Sequence, residues 1–88
     1  MHRVKEGFII RKIGGCIMAV PTGTQTSELH GMIALNETGE LLWNMLEKGA
    51  DPDALADALV ERYEVEKSVA LSDVIKFIDM LKEQGALR

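Results

Sequence analysis

Gly31-Met-Ile-Ala-Leu-Asn-Glu-Thr-Gly-Glu40 is the stretch whose reading decides the fold. Met32 to Leu35 are apolar and contain the β-branched Ile33, as a short strand requires. Asn36 ends that strand and is a preferred helix N-cap, its side-chain oxygen placed to accept from the backbone N–H of Thr38 or Gly39. Glu37 and Glu40 add negative charge at the positive end of the helix that follows. A strand therefore runs into a helix with almost no linker. Strand signals lie before this junction and helix signals after it.

Upstream, Phe8 to Ile13 and Cys16 to Val20 are rich in β-branched residues and are separated only by Gly14-Gly15. Two glycines between such runs are a strong hairpin signal, because both central residues of the turn need positive φ. That register sets Ile9, Ile13, Cys16, Met18 and Val20 on one face with Arg11, and Phe8, Ile10, Ile17 and Ala19 on the other with Lys12. The first face is expected to be the buried one, although both are apolar. Pro21 closes the second strand, and the polar, aperiodic run from Thr22 to His30 reads as a loop.

Downstream, a first helix is expected over about Glu37 to Lys48, with Leu41, Leu42, Met45 and Leu46 on its apolar side and Trp43 at the edge. Gly49 suits the residue after a helix, and Asp51-Pro52 restarts one with an N-cap and a proline whose missing N–H costs nothing there. The second helix carries Leu55, Ala58, Leu59 and Arg62, with Ala54 and Val60 nearby, and ends near Tyr63. A third begins at Lys67 or Ser68 and runs to about Gln84, closed by Gly85, with Ala86-Leu87 placed to fold back on it. Its apolar residues, Ala70, Leu71, Val74, Ile75, Phe77, Ile78 and Leu81, span roughly 160° of the helical wheel, wider than the ~100° a core-facing helix needs. Lys82 lies within that arc. The order is βββααα, a single α+β domain over residues 1–88 with a three-stranded antiparallel sheet.

Composition narrows the function. The 88 residues are 47% hydrophobic and 27% charged, as in a globular protein with one modest core. A net charge of −4 argues against a partner held through its phosphates. The single cysteine, Cys16, has no internal partner, which fits a reducing compartment. No apolar run reaches the ~20 residues of a membrane span, and the first seven residues lack the apolar core of a signal peptide. The expected location is the cytoplasm, with no membrane association.

Catalysis finds no support. His2 falls in an expected frayed terminus and His30 in a polar loop, and no metal-ligand spacing or phosphate-cradling loop occurs. Glu37/Glu40 and Asp51/Asp53 are accounted for by helix caps and dipoles. No nucleophile–base pair, cofactor or metal set is expected. Three helices after short strands fit a winged-helix DNA-binding regulator in shape. The outward residues of the third helix (Ser72, Asp73, Lys76, Asp79, Met80, Glu83) and of the second (Asp53, Asp57, Glu61) are too acidic to meet DNA. A further alternative is a non-catalytic structural subunit of a larger enzyme. Binding of an extended peptide remains, since the third strand ends the sheet and an edge strand accepts another by backbone pairing. Leu71, Ile75 and Ile78 either line a groove beside that edge or complete the core; the pattern is compatible with both. The same edge allows a homodimer.

Leu35-Asn36-Glu37-Thr38-Gly39 followed by Leu42-Trp43, then Tyr63-Glu64-Val65, then Asp73-Val74 with Phe77-Ile78 and Leu81, and the closing Gly85-Ala86-Leu87 together resemble PqqD-like proteins. The chain departs from that pattern at Glu66, where an aspartate N-cap is common, and across Thr22 to His30. The resemblance implies a winged-helix-like βββααα domain that recognises peptides in the maturation of ribosomally made, post-translationally modified peptides. It implies no catalytic activity and no cofactor of its own. The implied ligand is the leader of a precursor peptide, bound as an extra strand beside the third strand and against the third helix. The implied recipient is a modifying enzyme, typically a radical S-adenosylmethionine enzyme; in the namesake pathway the product is pyrroloquinoline quinone. By position, the strand contacts are Gly31, Met32, Ile33, Ala34 and Leu35. The groove, chosen from the helical wheel, uses Leu71, Ile75 and Ile78, with Lys82 set to meet an acidic leader residue.

Overall fold

The computed structural model describes residues 1–22 and 32–87. Three strands, β1 (Phe8–Ile13), β2 (Cys16–Pro21) and β3 (Ile33–Leu35), are followed by α1 (Glu37–Lys48), α2 (Pro52–Tyr63) and α3 (Lys67–Glu83). The sheet is antiparallel throughout, in the order β1-β2-β3. Gly14 and Gly15, at φ 56° and 83°, make the two-residue turn between β1 and β2, so that Ile13 pairs with Cys16 and Ile9 with Val20. Both residues of the turn need the left-handed region, where a side chain would strain the backbone. Gly31 and the loop expected from Thr22 fall largely outside the described residues.

The buried face of the sheet is the reverse of the one expected. Ala19 is fully buried, Phe8, Ile10 and Ile17 pack on the core, and Ile9, Ile13 and Cys16 lie exposed. The reason lies in the strand–helix junction. Leu35 is the last residue before the α1 cap, so its side chain must turn toward the helices. Ile17 pairs with Leu35 and Ala19 with Ile33, which commits Ile17 and Ala19 to that face; Ile10, opposite Ala19, and Phe8, opposite Pro21, follow.

Asn36 caps α1 as its sequence foretells: Oδ1 accepts from the Gly39 N–H at 2.7 Å. Trp43, expected at the edge of the apolar stripe, is instead fully buried, its ring meeting Phe8 edge-on with centroids 5.3 Å apart. It is covered because the N-terminal segment crosses α1. That segment also corrects the expectation of a frayed start. His2 pairs with Ala50 and Val4 with Leu87, while Val4 donates its N–H to Leu46 and Lys5 to Ala86. Val4 is buried in the process. The chain end it meets is ordered by Gly85: Ala86 donates to the Leu81 carbonyl and Gly85 to that of Lys82, and Ala86 and Leu87 are buried. These two bonds and the apolar contact are a Schellman closure.

Helix α2 buries Leu55, Ala56 and Leu59 and leaves Ala54 and Arg62 exposed. Asp51 stands at its N-cap but makes no side-chain capping bond. Helix α3 buries Ala70, Val74, Ile78 and Leu81, one stripe at i, i+4, i+8 and i+11. Lys67 ties α3 to α2 at the surface, its Nζ 2.6 Å from Asp57 and 3.9 Å from Asp53.

Candidate peptide-binding edge

Strand β3 pairs with β2 along one side only; along the other, no strand is paired to it among the described residues. An edge of this kind directs alternate N–H and C=O groups outward, where a further strand can meet them. Its side chains alternate as the pleat demands. Ile33 and Leu35 are buried, Ala34 is exposed, and Met32, immediately before the strand, is 57% exposed. Met32, Ala34 and the backbone of Ile33 and Leu35 are therefore the parts of the expected Gly31–Leu35 set that an incoming chain can touch. Gly31 lies outside the described residues.

Side chains from β3 and α3 and the α1 cap gather around Gly39. A Cβ built on Gly39 would stand 3.3 Å from Phe77 Cε1, 3.4 Å from Leu35 Cδ2 and 3.3 Å from Asn36 Oδ1. Glycine in the first turn of α1 thus lets a ring from α3, a side chain from β3 and the α1 cap converge on one spot. This gives the Leu35-Asn36-Glu37-Thr38-Gly39 run a physical meaning. Leu35 is core, Asn36 is cap, and Gly39 leaves room for Phe77.

The groove residues chosen from the wheel omit Phe77, an α3 side chain that lies beside Gly39 at the start of α1. At 100° per residue, Met80 projects about 60° from Phe77 and Asp73 about 40°, whereas Leu71 lies about 120°, Lys82 about 140° and Ile75 about 160° away. The expected set is thus divided. Ile78 is 4% exposed and belongs to the core; Leu71 is half-buried; Ile75, 51% exposed, and the exposed Lys82 share the flank of α3 opposite Phe77. The wheel showed that α3 is too apolar for one buried stripe, but a wheel has no neighbours, so it cannot say which flank meets the sheet.

A hollow of about 420 Å³ opens where β3 turns into α1, bounded by Ala34 to Glu37 and by Lys12 and Cys16 from the hairpin. Away from this hollow, the pKa of Lys67 is raised, chiefly by its hydrogen bond to Asp57 and then by the charges of Asp57 and Asp53 working against desolvation. Among the described residues no three His, Cys, Asp or Glu side chains gather as a metal site would need. No helix formed by them is long and apolar enough to cross a membrane.

Known proteins place this architecture. The family model described as coenzyme PQQ synthesis protein D (PqqD) matches residues 17–87. A search of curated proteins found no match. Among solved structures, a lasso peptide synthetase B1 complexed with the leader peptide superposes with a TM-score of 0.76 at 23% identity, covering 99% of this chain and 96% of that one. TbiB1 in complex with the TbiA(beta) leader peptide also gives 0.76, at 20% identity over 98% and 94% of the two chains. At these identities the superpositions speak for the fold, and the family match extends from β2 to the C-terminal closure. This chain belongs to the PqqD family.

Proposed function

We propose that this protein binds the leader segment of a ribosomally made precursor peptide and presents it to a modifying enzyme. The observation that carries the reading is the single-sided pairing of β3 among the described residues, with Leu35 of β3 and Phe77 of α3 both beside Gly39. An extended leader adds to the sheet along Met32 to Leu35, and backbone pairing supplies affinity independent of sequence. Side chains of the leader that point inward meet α3, which supplies selectivity. The two similar solved structures, one a synthetase B1 and the other TbiB1, both hold leader peptides, which supports the same ligand class here. The protein acts as a non-catalytic adaptor in the cytoplasm. The recipient enzyme is of the radical S-adenosylmethionine class, as the family resemblance implies.

Two exposed charges on opposite flanks of α3 test which wall the leader uses. Asp73 lies on the Phe77 flank and Lys82 on the Ile75 flank. Both are surface positions, so Asp73→Lys, Lys82→Glu and Ile75→Glu should shift stability by no more than about 0.5 kcal/mol. Fluorescence titration with the synthetic leader of the precursor encoded beside the gene should give micromolar or tighter affinity for the wild type. If the Phe77 flank is the wall, Asp73→Lys alters leader affinity severalfold and steepens its salt dependence, while Lys82→Glu and Ile75→Glu leave it unchanged. The opposite pattern assigns the wall to Leu71, Ile75 and Lys82. Absence of wild-type binding to every neighbouring precursor refutes the function.

A further inference from the structure

The backbone groups that β3 holds out to a further strand follow from the register of the sheet. Gly14 and Gly15 form a two-residue turn, so the residues on either side of it, Ile13 and Cys16, exchange both backbone hydrogen bonds. Such pairs recur at every second position, giving Arg11 with Met18 and Ile9 with Val20. The next in the series is Gly7 with Thr22, and there the Thr22 N–H donates to the Gly7 carbonyl at 2.7 Å. Cys16, Met18 and Val20 thus turn their backbone groups to β1. Ile17 and Ala19, lying between them, turn theirs to β3, where they meet Leu35 and Ile33. Pro21, next in that second series, has no N–H with which to carry the ladder further.

Ile33 and Leu35 therefore commit N–H and C=O to β2. Of the three residues of β3, Ala34 is the one that directs both groups to the outer edge. Past it, the Asn36 carbonyl accepts from the Glu40 N–H at 2.9 Å and is committed to α1. Before it, Met32 continues the alternation. The edge is a clip one residue wide, with Met32 as an outer hold. With so few backbone bonds on offer, the loss of one is not diluted by the rest. Side chains follow the same alternation. Ala34 is exposed, whereas Ile33 and Leu35 are buried, so residues of an added strand face outward beside Ala34 and inward beside the other two.

We infer that the backbone of Ala34 is the specificity-determining contact of the leader site. It selects an extended segment in which one N–H, the one that meets the Ala34 carbonyl, is present and free, so proline is excluded there. The two leader residues that flank the one opposite Ala34 face the buried side of the sheet, which suits apolar side chains. The inference rests on the leader reading and narrows its ligand to a short segment with two apolar side chains two residues apart and no proline at the clipped N–H.

The test uses the full chain and the synthetic leader of the precursor encoded beside the gene. In the free protein, the Ala34 amide should exchange with solvent rapidly while those of Ile33 and Leu35 are protected, and saturating leader should slow Ala34 about tenfold or more. Ala34→Pro removes that N–H at a position where an edge strand tolerates proline, so the variant should stay folded and bind the leader about tenfold or more weakly. N-methylation of the leader one residue at a time leaves the protein unaltered. It should cost about tenfold at the clipped residue, less at the residue two away that meets Met32, and little at the residue between. A protected Ala34 amide in the free protein overturns the inference. So does a folded Ala34→Pro that binds like wild type, or a methylation profile without the two-residue alternation. Wild type that binds no leader refutes the underlying function instead, and the exchange pattern of the free protein then still decides the register, so the two failures are told apart.

Discussion

Replacing Gly39 by alanine sets two effects of known sign against each other. Gly39 is the third residue of α1, and in an open helix alanine there would stabilise by up to about 1 kcal/mol through propensity. The site is not open. The new methyl would lie 3.3 Å from Phe77 Cε1 and Asn36 Oδ1 and 3.4 Å from Leu35 Cδ2, closer than such contacts ordinarily come. Phe77 is half-buried and can swing, but Leu35 is fixed in the core, and Asn36 is held by the 2.7 Å bond it accepts from Gly39 itself. Overpacking costs about 1–3 kcal/mol and weakening of the cap about 1 more, so against a propensity gain of up to about 1 the net effect is a loss of about 1–3 kcal/mol. For a domain of this size that lowers the thermal midpoint by roughly 4–24 °C. Urea unfolding should show a lower midpoint with an unchanged m-value. Combining Gly39→Ala with Asn36→Ala should cost less than the sum of the two, because both act on one cap. A Gly39→Ala protein as stable as wild type, or more so, would refute the close-packed junction on which the alignment of β3 and α3 depends.

Two further outcomes probe the rest of the frame. Val4→Ala removes two buried carbons where the N-terminal segment joins α1 to the chain's end, and should destabilise by about 1–2 kcal/mol, measurable by urea titration; an unaltered midpoint would mean that segment is not anchored. The Lys67–Asp57 pair predicts a pH dependence. A raised pKa means that the folded state holds the proton more tightly, so its stabilisation is complete below the ordinary lysine range and fades as pH rises through the higher folded value. Wild type and Asp57→Asn should therefore differ in thermal midpoint at neutral pH, by a small amount because the pair is exposed, and converge in strong alkali.

The sequence by itself determined the order and ends of the elements, because those are set by groups a few residues apart. Gly14-Gly15 fixed the hairpin register, Asn36 and Gly39 the start of α1, Pro52 the start of α2, and Gly85 the closure of α3. The family followed from the same local signals standing in one order. The outermost place of β3 among the described strands was legible too, since the third of three strands in a meander lies at an edge. What only the tertiary structure decided was direction. Both faces of the hairpin are apolar, so burial of Ala19 and exposure of Ile13 had to wait for Leu35 to turn toward the helices. Trp43 became core only when Phe8 and the N-terminal segment closed over it. Likewise, the wheel of α3 offers two apolar flanks, and only the folded chain brings Phe77, on one of them, beside Gly39. Periodicity reports how much of an element is apolar; which way that surface faces depends on contacts between residues far apart in the chain.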